Sequence, residues 1–188
     1  MRRVWLPALM IGLVLLCGCT GGEGWEERFS QARQEFSEAS ELSFTAEITA
    51  DMGETVFACT LGCVRDGEGT EMTVLAPDLA RGVVVRSNDS GATLSYDGLE
   101  LFVGETGGVT PVGAVPALTG ALLGGYAEGF YADTYEDTPA LVARIYIDED
   151  THALFWLEEE TFTPLYAELV QDGTVAVRCR FSDFRASA

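Results

Sequence analysis

The hydrophobic positions of this chain change their spacing three times. Residues 4–16 form an apolar run broken only by Pro7 and Gly12. Further on, Trp25, Phe29, Ala32, Phe36 and Ala39 recur at intervals of three or four among Glu, Arg and Gln, which predicts an amphipathic helix. That helix lacks the basic polar face of an interfacial helix, so its aromatic stripe is expected to dock on the protein's own sheet. From Leu42 the period drops to two: Phe44, Ala46, Ile48 and Ala50 alternate with Thr45, Glu47, Thr49 and Asp51, as in a half-buried antiparallel strand.

Turn signals then divide a series of such runs. A second strand is predicted over 55–65, a hairpin loop over 66–69 and a third strand over 72–76, before 77–82 interrupts. Strands resume at 83–86 and 92–96, and the Asp97-Gly98 pair folds the latter onto 99–103 as the strongest local hairpin signal. Residues 104–126 differ in texture, being apolar and rich in Gly and small side chains. Within them a helix over 112–123, apolar on nearly all sides, implies burial. An acidic loop over 133–137 breaks the pattern. Four more runs follow, at 141–148, 153–157, 165–170 and 175–181, the last after Asp172-Gly173. The outcome is an α+β domain dominated by antiparallel strands.

The opening apolar run is too short to span a bilayer core of roughly 30 Å, which needs about 20 residues of helix, and Arg2 and Arg3 precede it. It reads as a signal peptide. Leu16-Cys17-Gly18-Cys19 resembles a bacterial lipobox, making Cys19 the expected site of lipid attachment and cleavage. The two or three acyl chains of that modification anchor stably where one holds only marginally. The expected organisation is a signal peptide over 1–18, a lipidated tether over 19–24 and one domain over 25–188, on the extracytoplasmic face of a cell membrane, or of an outer membrane if the host has one.

Charge narrows the partners. Removing Arg2 and Arg3 with the signal takes the formal charge from −19 to −21. A field of that sign repels nucleic acid and anionic headgroups, which leaves the lipid to do the anchoring. All 11 basic residues are arginine, so a P-loop, a Schiff base and a Ser-Lys pair are excluded, and any histidine mechanism would rest on His152, expected at the surface beside a turn. The many carboxylates, Glu158-Glu159-Glu160 included, sit where solubility puts them. No enzyme activity, cofactor or metal site is expected, because three thiols and one distant histidine lack zinc-module spacing. Of the cysteines outside the signal and lipobox, Cys59 and Cys63 share one strand face roughly 13 Å apart and should not bond each other. A disulfide, if formed, joins Cys179 to Cys59 or Cys63; the alternative is three buried apolar thiols.

Leu154-Phe155-Trp156-Leu157, then Thr163-Pro164-Leu165-Tyr166-Ala167-Glu168, an Asp-Gly turn and Arg180-Phe181-Ser182-Asp183-Phe184 resemble the C-terminal half of the LolA/LolB-like lipoprotein carrier and receptor superfamily. Ser95-Tyr96-Asp97-Gly98-Leu99-Glu100-Leu101 is similar to that group's middle hairpin. The resemblance implies a curved antiparallel half-barrel with an N-terminal helix and short apolar helices over its concave face, which in that family holds acyl chains. It also sets Leu79, within 77–82, where the anchored receptor projects a leucine from a loop. Two functions follow: a membrane-anchored module binding a lipid or other apolar ligand, lined by Phe44, Ile48, Phe155 and Leu157, or a regulatory or scaffolding lipoprotein with a packed interior and an envelope protein as partner.

Overall fold

The computed structural model describes residues 24–51, 53, 55–104, 110 and 113–187. The expected signal peptide and Cys19 lie outside the described residues. Along the chain run α1 (Trp25–Glu38), β1 (Glu41–Asp51), β2 (Val56–Asp66), β3 (Gly69–Ala76), a 3-10 turn (Asp78–Ala80), β4 (Val84–Asn88), β5 (Gly91–Tyr96), β6 (Leu99–Gly104), α2 (Ala114–Gly124), β7 (Tyr126–Tyr135), β8 (Thr138–Tyr146), β9 (Thr151–Glu158), β10 (Pro164–Gln171) and β11 (Thr174–Ser187).

All eleven strands form one antiparallel sheet in the order β6-β5-β4-β3-β2-β1-β11-β10-β9-β8-β7. Its neighbours are consecutive hairpins except where β1 pairs with β11, the first strand with the last. The edges β6 and β7 do not pair with each other, so the sheet is open. Asp97 and Gly98, with φ of 49° and 78°, and Asp172 and Gly173, with 50° and 73°, supply the left-handed residues that tight two-residue hairpins demand. Glu136 and Asp137 do the same at 47° and 66° without glycine. Residues 133–135 therefore belong to β7, and the acidic loop expected over 133–137 reduces to a two-residue turn.

Directly opposed residues share a face, and the register defines two. The inner face carries Leu42, Phe44, Ala46, Ile48 and Ala50 of β1, with Cys63, Leu61 and Cys59 opposite them on β2 and Phe181, Cys179 and Val177 on β11. Phe29, Ala32 and Phe36 of α1 and Val115, Leu118 and Leu122 of α2 join the same buried cluster. Aromatic contacts tie the helix to the strands: Phe29 meets Phe130 edge-on with centroids 5.2 Å apart, and Phe36 meets Phe184 at 5.2 Å. Phe184 in turn stacks on Phe44 at 5.7 Å.

Arg33 joins the two helices. Its guanidinium donates to the Ala121 and Gly125 carbonyls, at 3.0 and 2.7 Å, and lies over the Phe29 ring at 4.3 Å. A cation thereby meets the C-terminal end of α2, where it bonds the Gly125 carbonyl and adds to the Gly125 N–H already donated to Ala121. At that end a Cβ on Gly125 would stand 2.4 Å from Ile145 Cγ2, so only glycine lets the chain pass this close to β8.

Candidate ligand-binding face

Phe44, Ile48, Phe155 and Leu157, expected to line a ligand site, are all buried in the continuous core. Side chains of both helices belong to the same buried cluster. The alternation identified the apolar face correctly but not which part of it is covered.

The uncovered part lies on the other half of the sheet. Register carries one inner row from Cys63 across Met72, Val85 and Leu94 to Leu101, and a second pairs Tyr96 with Leu99. Met72 and Val85 are buried, Leu94 is half-buried, and Leu101 and Leu99 are 61% and 75% exposed. Phe57, opposite the buried Ala50, is 51% exposed on the same inner face. Sequence reasoning does not mark these residues as ligand-lining. The available signal is β6 itself, Leu-Glu-Leu-Phe-Val-Gly, whose Leu99, Leu101 and Val103 on one phase and Phe102 on the other are more apolar than a half-solvated edge strand calls for.

The 3-10 turn presents Leu79 almost fully to solvent, at 96% exposure, beside the ion pair of Arg81 with Asp78. Strand directions put this turn at the same end of the sheet as the β5–β6 hairpin and the start of β2. Exposed apolar residues gather there: Val56, Phe57, Leu79, Tyr96 and Leu99. At the opposite end the recesses are polar. One of about 620 Å³ lies between Pro116 and Gly120 of α2 and the β2–β3 and β4–β5 turns, lined by Arg65, Asp66, Ser87 and Asn88 among others.

Among the described residues Cys59, Cys63 and Cys179 are free, and the disulfide expected between Cys179 and Cys59 or Cys63 is not formed. Cys59 and Cys179 flank Ile48 from opposite sides, so β1 runs between them. Two interstrand spacings make about 10 Å, beyond the roughly 7 Å that a disulfide spans. Burial, with the neighbouring Cys59 adding to it, pushes the Cys63 thiol up to about 12. Burial also raises Cys179 well above its ordinary value, so neither is a nucleophile at neutral pH. His152 is the second residue of β9, just after the 148–150 turn as expected, and is half-buried between Tyr146 and Val170. Burial, then the charge of Arg144, holds its pKa below the usual imidazole value.

No protein-family model matches this chain, and no curated protein matches it in sequence. Solved structures do. A domain named for outer membrane lipoprotein sorting, from Vibrio parahaemolyticus, is 11% identical with a TM-score of 0.51, over 87% of this chain and 92% of that one. An uncharacterized conserved protein from Thermus thermophilus is 8% identical with a TM-score of 0.52, over 86% of each chain. A LolA superfamily protein from Nitrosomonas europaea is 12% identical with a TM-score of 0.48, over 87% of this chain and 93% of that one. At such identities the likeness is one of fold alone, shared with the lipoprotein-sorting domain and the Thermus thermophilus protein.

Proposed function

We propose that this LolA-like chain is a membrane-tethered, non-enzymatic module of the cell envelope that holds an acyl chain or another apolar ligand on the open part of its inner face. In this reading the sheet is a half-barrel whose helices cover only one side of the concavity. The observation that carries it is the run of exposed apolar side chains, Phe57, Tyr96, Leu99 and Leu101, continuous with a buried core. Burying such a surface is worth about 25 cal/mol per Å², so leaving it open is costly unless something binds there. The likeness to a domain named for lipoprotein sorting points the same way, since the lipid of a lipoprotein is an apolar ligand. A half-buried lone histidine and a chain without lysine support a non-enzymatic role.

Lipid on Cys19 supplies the tether. Cys19→Ser is expected to abolish lipid labelling, and Cys17→Ser to leave it intact; acyl label persisting on the Cys19 variant would refute the anchor. Ligand binding is tested by native mass spectrometry of the gently extracted chain together with an apolar fluorescent probe. A copurifying lipid and probe binding that Leu99→Glu/Leu101→Glu removes are expected.

A second reading has an observation of its own. The interior beneath the helices is closed, with Phe155, Leu157 and Ile48 at most 2% exposed, as in a regulatory module that meets a protein instead of a lipid. A folded wild-type chain with neither lipid nor probe binding decides for it.

A further inference from the structure

The sheet's outer face is aromatic where solubility alone would make it polar. Across β7–β10 the register sets Tyr131, Val142, Trp156 and Tyr166 in one row. Tyr135 folds over this row and stacks on Tyr166, with centroids 5.0 Å apart at 12° between planes, and Trp156 packs on Tyr166 at 5.2 Å. Tyr146 and His152 continue the face along β8 and β9. Tyr131, Tyr135, Tyr146 and Tyr166 thus share one face, with Tyr126 opposite Tyr146. Val142 is fully buried within it, yet Tyr131 and Tyr146 remain 47% and 41% exposed.

The polar tips are held in place. Trp156 Nε1 donates to Asp133 Oδ2 at 3.0 Å, and the Tyr166 hydroxyl donates to Glu168 Oε1 at 2.8 Å. Rigid Trp and Tyr rings with satisfied polar ends are the composition of interface hot spots. The arginines of this face already face carboxylates: Arg144 with Glu128 at 2.6 Å, Arg180 with Glu136 at 3.1 Å and Arg178 with Glu168 at 3.7 Å. The turns that bound it are acidic, Glu136-Asp137 and Glu158-Glu159-Glu160 at one end and Asp148-Glu149-Asp150 with Asp172 at the other.

We propose that this outer face of β7–β10 docks a basic polypeptide segment of a partner protein, whose arginine or lysine side chains lie over the exposed tyrosine rings between the acidic turns. Cations are drawn to aromatic faces, more strongly where water is displaced. The surrounding negative field steers such a segment in and repels competitors. A second copy of the chain would bring the same acidic turns into opposition, and an anionic membrane surface would be repelled.

The test uses the full mature chain in detergent and a short synthetic peptide of alternating arginine and glycine, at about 0.15 M salt to suppress diffuse attraction. Tyr131→Ser/Tyr146→Ser leaves the net charge unchanged and is expected to weaken binding about tenfold, the scale of a lost interface hot spot. Phenylalanine at both positions should restore it, and Tyr96→Ser on the other half should bind as wild type. Peptide-induced NMR shifts in the wild-type chain should centre on the Trp156 indole N–H, a readout that needs no variant to fold. Equal affinity of the serine variant would reduce the binding to overall charge and overturn the proposal. So would shifts centred on Leu99 and Leu101, or a homodimer in sedimentation that the serine variant disrupts.

Discussion

Ile48, Cys179, Ala167, Phe155 and Ala143 form one inner row across β1 and β11–β8, and none exceeds 2% exposure; the corresponding row on β2–β6 runs from Cys63 and Met72 out to Leu101 at 61%. Both rows obey the same alternation. They differ in what lies above them. In the first half small residues, Ala143 and Ala167, alternate with Phe155 and leave room for helical side chains, and Gly125 lets the end of α2 meet β8. In the second half the apolar face continues past the reach of the helices. A period of two therefore tells which face is apolar, whereas coverage depends on where the helices end.

The contrast breaks most visibly under a buried charge. Ile48→Glu places an unpaired carboxylate in the closed half and should cost several kcal/mol, enough to unfold much of the chain. Leu101→Glu in the open half should move the thermal midpoint little. Comparable losses from both would mean that the open half is packed after all.

Next in size comes the link between the helices. Arg33→Met keeps the aliphatic stem but takes the guanidinium from the Gly125 carbonyl and leaves Ala121 with the Gly125 N–H alone. A loss of about 1–3 kcal/mol in denaturant unfolding is expected, with faster hydrogen exchange in α2 than in β10. Unchanged exchange in α2 would show that Arg33 does not hold the covered half closed.

A smaller change sharpens the same boundary. Ile48→Val should cost about 0.5–1.5 kcal/mol, the range for removing one buried methylene, and leave apolar-probe binding at the wild-type level. Weaker probe binding would extend the ligand site into the core.

The smallest effect concerns pH. Burial and Arg144 hold the folded His152 pKa below its unfolded value, so the fold favours the neutral ring. That contribution is fully present above the unfolded value of about 6.5 and is lost as pH falls below it. The melting difference between wild type and His152→Gln should narrow or reverse between neutral and mildly acidic pH; a difference constant over that range would contradict the assignment.

Most elements were legible because each carries its own local signal. The stripe from Trp25 to Phe36 marks α1, and Asp97-Gly98 and Asp172-Gly173 mark their hairpins. β7 was not: no strand is expected over 126–135, and Glu136 and Asp137 adopt the left-handed conformation without a glycine to announce the turn that ends it. The ligand-lining residues were read from apolarity when exposure decides the matter, and exposure depends on long-range packing. A disulfide from Cys179 to Cys59 or Cys63 needs β11 directly beside β2, and only the register shows β1 between them. The outer aromatic patch had a trace in the sequence, Tyr131 and Tyr135 flanking Asp133 on the polar phase of one strand, with Trp156 and Tyr166 on the corresponding phase of two others.

The most direct test of the open inner face is titration of an apolar fluorescent probe into the folded chain, wild type against Leu99→Glu/Leu101→Glu, with matched circular dichroism and melting curves. Saturable binding by the wild type, lost in the variant at unchanged stability, is the predicted result. Equal binding by both, or none by the wild type, would contradict it.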